Sequence, residues 1–230
     1  MISAAGELLL GAACHGCSRP WWGICPQCRA DVLRHGCFVT RPDPCPPGFP
    51  LTVTTAPYDA VLRQLISAHK ERGAWALTPF LAGQLAAAVS GLQLTLAASS
   101  DPAVLVPMPS AAAAVRSRGF DATWAMAKGA ARALRPGSAV QARRLLRQVR
   151  PVRDQAGLGA EERAANLRGA LRVTALPVDV PVILVDDVVT TGSSLTEAAR
   201  ALHAAGHEVL GAATLATTRR MRPDWDRFRR

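Results

Sequence analysis

Apolar residues in this chain fall into two patterns: short unbroken runs, and positions spaced by three or four. Strands covered on both faces alternating with amphipathic helices produce that combination. The clearest run is Val182, Ile183, Leu184 and Val185. Asp186 and Asp187 follow at the expected strand end, then Val188 and Val189, and then Thr190, Thr191, Gly192, Ser193 and Ser194. Behind this turn, Ser194 and Glu197 have the spacing of a capping box, Leu195, Ala198, Ala199 and Leu202 share a helical face, and Gly206 ends the run. A second short run at 104–106 precedes Pro107, Met108, Pro109 and Ser110. Further strands are expected at 51–56 and 208–215, and helices from 59 to about 69, from 78 to 98, and from an Asp121 cap to about 134. Strands alternating with helices predict an α/β fold, a mostly parallel sheet flanked by helices.

Ligands of open α/β sheets bind outside the carboxyl ends of the strands. Two adjacent carboxylates there, followed by small hydroxyl residues and a glycine at a helix start, outline a cradle in which backbone N–H groups converge on an anion. An ordinary βα turn with solvated aspartates is the plainer alternative. Neither GxxxxGK[ST] nor GxGxxG occurs in the chain.

The segment at 69–73 concentrates charge, and its Lys70 either caps a helix end or reaches a phosphate. Arg116 and Arg118 follow the 107–110 loop and could neutralise a second phosphate. Residues 143–170, rich in arginine and interrupted by Gly157 and Gly159, read as a mobile segment or as a solvated charged surface.

Cys14 and Cys17, then Cys25 and Cys28, make two CxxC knuckles, the arrangement that closes tetrahedrally on a structural zinc ion. Trp21 and Trp22 between the knuckles would pack on that module or stack on bases. Cys37 and Cys45 lack knuckle spacing and read as ordinary thiols. The division expected is a zinc module over 1–45, a hood or connector over 46–100, and an anion-binding domain over 101–230.

Composition changes this picture little. The 230 residues are 49% hydrophobic, enough for a core, and carry a formal charge of +10, with Lys70 and Lys128 the two lysines. That charge suits polyphosphates or nucleic acid equally. No apolar run approaches the roughly 20 residues needed to span a bilayer. The start, LLLGAAC, lacks a positive flank, so membrane insertion is not expected and a cytoplasmic location is. The basic, aromatic tail from Arg219 is expected to be frayed.

The DDVVTTGSS segment resembles the phosphoribosyl pyrophosphate (PRPP) loop of type I phosphoribosyltransferases. That resemblance implies that Asp186 and Asp187 address the ribose hydroxyls, and that residues 188–194 hold the 5′-phosphate. The order of parts is similar to the ComF family, amidophosphoribosyltransferase-like proteins associated with DNA uptake competence: a double CxxC knuckle, a VPxPS loop leading to RGF, then Gln155, Arg163 and Asn166 before Gly169-Ala170, then the DD loop. It implies a pyrophosphate side built from Pro107, Met108, Pro109, Ser110, Arg116, Arg118 and Lys70, and a flexible loop bearing Gln155, Arg163 and Asn166. It also implies PRPP and magnesium as ligands, with single-stranded DNA or a competence or helicase-type protein as partner. The chain departs from that family's pattern where Asp121-Ala122 follow RGF, at Val152, and at Leu171, where an aromatic is usual.

Overall fold

The computed structural model describes residues 12–97, 103–134, 139–150, 166–174 and 181–218. Its chain order is α1 (Pro26–Leu33), β1 (Phe38–Thr40), β2 (Thr52–Pro57), α2 (Ala60–Glu71), a 3-10 turn (Trp75–Leu77), α3 (Thr78–Thr95), β3 (Val104–Pro107), α4 (Ala112–Arg118) and α5 (Ala122–Leu134). β4 (Gln141–Ala142), β5 (Leu146–Gln148), β6 (Leu171–Val173), β7 (Val182–Val189), α6 (Ser193–Ala204) and β8 (Val209–Thr217) follow.

Six strands form one sheet in the order β1-β2-β8-β7-β3-β4. All pairings are parallel except that of the edge strand β1 with β2. β5 and β6 make a separate antiparallel pair. The mixed α/β fold with a mostly parallel sheet is therefore as the hydrophobic pattern predicts. β2 lies inside this sheet beside β8, so the 46–100 segment contributes a strand to the body formed by later strands.

β7 is buried on both faces, and its side chains divide by parity as a period of two requires. Ile183 and Val185 join the core under α2, α3 and α5. Val182 and Leu184 join the opposite core, under α6 and the β5–β6 pair. Each such aliphatic side chain contributes about 1.5–3 kcal/mol when fully buried. The apolar helix from Trp75 to Thr95 is long enough to cross a membrane, yet half of it is buried in the molecule. Phe80, Leu81, Leu85, Val89 and Leu92 pack it into the core.

Two local expectations give way to tertiary contacts. β7 does not end at Asp186 but runs on to Val189, because β8 pairs with it that far, Val189 opposite Thr217. Residues 188 and 189 are thus strand rather than loop, Val189 buried and Val188 packed on the core. The capping box is not formed: α6 starts at Ser193 with Gly192 as its cap and no side-chain cap bond. Glu197 turns away to Arg200 (2.7 and 2.8 Å) and accepts from the Leu171 amide at 3.5 Å. The basic segment at 143–170 contains β5, which pairs with β6.

α3 and α5 cross closely. A Cβ on Gly129 of α5 would stand 2.6 Å from the Ala82 Cβ of α3. Gly129→Val should force these helices apart and lower stability by about 1–3 kcal/mol in urea unfolding, the usual cost of overpacking. An unchanged unfolding midpoint would contradict the close crossing.

Candidate functional site

Parallel strands deliver their polar ends to one edge, and here three elements converge on it. Asp187 lies on β7, 7% exposed. Lys70, from the last turn of α2, reaches it with Nζ 2.8 Å from Oδ2. Arg118 holds that lysine in place: its Nη1 donates to the Lys70 carbonyl at 3.0 Å and to Glu71 Oε1 at 2.8 Å. The β3 loop is fastened to the same edge, since the Met108 amide donates to the Val185 carbonyl at 2.9 Å.

The two aspartates differ electrostatically although adjacent in sequence. Burial and the neighbouring Asp187 charge push the Asp186 carboxyl well above its ordinary value, against the pull of Lys70. Burial also acts to raise Asp187, but the Lys70 charge and hydrogen bonds outweigh it and hold that carboxyl below its ordinary value. Burial would lower Lys70, yet the attraction of Asp187 and Asp186 raises it instead. One carboxylate is therefore ionised and paired, while its neighbour favours the protonated form.

Beside this pair lies His69, which the sequence reading passed over inside a charged run. It is fully buried, its Nε2 is 2.8 Å from Thr78 Oγ1, and its ring meets Phe120 edge-on at 5.2 Å. Burial drives its pKa down to about 4, with Asp187 opposing and Lys70 assisting.

The turn after β7 closes through the Thr191–Ser193 hydroxyl contact of 3.1 Å and the Thr196 amide bond to the Gly192 carbonyl. Gly192 has φ 76°, in the left-handed region, and a Cβ there would meet Phe49 at 2.6 Å and Pro42 at 2.9 Å. Glycine is required on both counts. With no side chain capping α6, its first-turn N–H groups are left for an anion. Phe49 and Pro42, in the proline-rich connector, were not singled out in the sequence because only the folded chain brings them to the loop.

Pro107, Met108, Pro109, Ser110, Lys70, Arg118, Asp186 and Asp187 thus share the carboxyl edge. Ser110 bonds Asp121 at 3.1 Å rather than standing open. Arg116 is exposed on α4, and Asn166 is half-buried ahead of β6. Gln155 and Arg163 lie outside the described residues.

Residues 126–228 match the family model of the phosphoribosyl transferase domain. Over that span, a little under half of the chain, the protein is similar to a phosphoribosyl transferase domain. No curated protein matches the chain. The matched span contains β7, the Asp186–Asp187 pair and the turn into α6; the cysteine knuckles, Lys70 and Arg118 precede it.

In the N-terminal part, the sulfurs of Cys14, Cys17, Cys25 and Cys28 all lie within 4.8 Å of one another, positioned for one metal ion. Among the described residues this is the one such group of three or more ligands. Burial opposes thiolate formation at Cys14, but amides of Cys25, Gly16 and Cys17 overcome it and bring its pKa to about 6. A Cβ on Gly16 would sit 2.9 Å from Cys28 Sγ, so glycine leaves the cluster room to close. Trp21 and Trp22, between the knuckles, are 39% and 66% exposed. Cys37 and Cys45 stand apart from the cluster, with Cys37 bonded to the Ala87 carbonyl at 3.3 Å.

Elemental analysis should find one metal ion per chain. Its removal by a strong chelator, or Cys28→Ser, should raise hydrogen exchange around residues 14–28; exchange that stays unchanged without metal would rule out a folding role for the cluster.

His69 gives a separate pH signature. The unfolded chain takes up its proton near the ordinary value of 6.5 and the folded chain only near 4. Stability should therefore fall by about 3 kcal/mol as pH drops through that window. His69→Gln should remove that part of the slope, as read in urea unfolding at stepped pH.

Proposed function

We propose that the carboxyl edge of the sheet binds PRPP and transfers its phosphoribosyl group to a nitrogen acceptor, releasing pyrophosphate. The observation that carries this reading is the half-buried Asp186 and buried Asp187 beside Lys70, ahead of a glycine turn at an uncapped helix start. Asp186 and Asp187 hold the ribose hydroxyls, and residues 190–194 hold the 5′-phosphate through backbone N–H groups and hydroxyls. The ends of β3 and α2, with Lys70 and Arg116, face the pyrophosphate, while Arg118 positions Lys70.

The chemistry follows from charge. As the bond from ribose C1 to the pyrophosphate oxygen breaks, positive charge grows on the ring and negative charge on the leaving group. The ionised Asp187 favours the first and the cations the second. A new C1–N bond forms on the opposite face, and the nitrogen sheds its proton to solvent or to the departing pyrophosphate. Magnesium, held mostly by PRPP's own oxygens with few protein ligands, supplies further neutralisation of the leaving group. Gln155, Arg163 and Asn166 belong to a loop that closes over the site in this reading. The four cysteines hold zinc, for which four thiolates at tetrahedral spacing are the usual donor set.

A second reading keeps PRPP binding without turnover and adds single-stranded DNA, in a cytoplasmic protein of the ComF kind linked to DNA uptake through a competence or helicase-type partner. The exposure of Trp21 and Trp22 beside the metal cluster favours it, because such rings can stack bases. Pyrophosphate release across a panel of nucleobases and amines separates turnover from binding alone.

PRPP with magnesium should raise the melting temperature by several degrees. Asp187→Ala and Thr191→Glu should each abolish that shift relative to the variant's own unliganded baseline, the second by placing a carboxylate where the phosphate sits. If either variant keeps the full shift, the site lies elsewhere.

A further inference from the structure

A groove of about 770 Å³ opens between α3, the α4–α5 turn and α5. It is not the carboxyl edge described above, for neither aspartate of the pair, nor Lys70, nor the 190–194 turn lines it. Its apolar wall includes Pro79, Phe120 and Trp124, and its cations are Lys128, Arg132 and Arg144. Trp124, Lys128 and Arg132 recur every four residues, so they form one stripe along α5. The Arg144 guanidinium lies 4.2 Å from the Trp124 ring centroid and the Lys128 ammonium 5.8 Å. Asp121 is the lining carboxylate, and it is taken up by Arg144 at 2.9 Å, Ser110 and the Trp124 amide. Three cations facing one engaged acid leave the groove with a positive surplus.

An aromatic wall and a cation cluster in one concave space match a ligand that is flat and apolar at one end and polyanionic at the other. The volume is that of an ordinary small-molecule site, about 300–1,000 Å³. We propose that this groove binds a nucleoside di- or triphosphate, with the base against Phe120 and Trp124 and the phosphates among Lys128, Arg132 and Arg144. It is a second site beside the first, sharing with it the α4–α5 turn: Phe120 abuts His69, and Arg118 two residues earlier bonds the Lys70 carbonyl.

Titration calorimetry of the full chain with ATP, GTP, inorganic triphosphate, PRPP with magnesium, and a 20-mer of thymidylate tests this assignment. ATP or GTP should bind at least tenfold more tightly than inorganic triphosphate. The exposed charge-reversal pair Lys128→Glu with Arg132→Glu should weaken that binding at least tenfold, Trp124→Ala by a similar factor, and PRPP should not displace the nucleotide. PRPP affinity measured on the charge-reversal variant reports the carboxyl edge independently, so loss of one site is distinguishable from loss of the other. The assignment fails if no nucleotide binds, if inorganic triphosphate binds equally well, if PRPP competes, or if the charge-reversal pair leaves nucleotide affinity intact. It also fails if the 20-mer displaces the nucleotide and is itself lost in that variant, since the groove would then be a nucleic-acid track. The charge reversals are at exposed helix positions, so they test the groove even where Trp124→Ala unfolds the chain.

Discussion

The ion pair between Lys70 and Asp187 governs the arrangement of the candidate site. Two neighbouring carboxylates at the end of a buried strand repel each other and lose hydration. That combination drives one of them toward the protonated form and favours a cation beside the other. Lys70 resolves this for Asp187 and leaves Asp186 with the raised pKa. Breaking a buried pair by deleting one partner costs about 3–5 kcal/mol, and less here because the Lys70 side chain is 28% exposed. The ammonium is therefore firmly placed but still in reach of an incoming anion.

Much of this was readable in the residues. A run of aliphatic residues followed by two acids and a glycine turn marks the end of a central strand because local pattern and tertiary role coincide there. The two CxxC knuckles likewise carry their geometry in their spacing. What the sequence misassigned were the features decided by distant contacts. Pairing with β8 carries β7 past the aspartates, and Glu197 abandons the helix cap for Arg200 and the start of β6. Arg118 is expected beside a phosphate, and its Nε donates to the Ala114 carbonyl and its Nη1 to the Lys70 carbonyl and Glu71, contacts the sequence does not announce. No local pattern distinguishes an arginine that binds substrate from one that positions a lysine.

The turn after β7 shows the same division. Its glycine is legible as a turn residue, and its left-handed backbone agrees with that. The close approach of Phe49 and Pro42 is a second and separate reason for glycine. Since Cβ would clash from that side, the connector acts as a wall that fixes the turn before any ligand arrives. A cradle so preorganised loses less entropy on binding.

The metal cluster and the acidic pair are joined by one rod. α2 is 12 residues long, about 18 Å. Asp59 caps its start through the Leu62 amide and lies 3.8 Å from His35. Val61 in its first turn packs on the cluster of Cys14, Cys25 and Cys28, and Lys70 in its last turn meets Asp187. Leu62, Leu65 and Ile66 bury the face between them in the main core. A helix held along its length transmits a shift at one end to the other as a rigid displacement, because its packed side chains have no room for independent adjustment. Val61 rests on the cysteine cluster at one end of α2, and α2 carries Lys70 at the other. In this fold the cysteine module is thus part of the support of the carboxyl edge, even though it lies outside the span that matches the phosphoribosyl transferase domain.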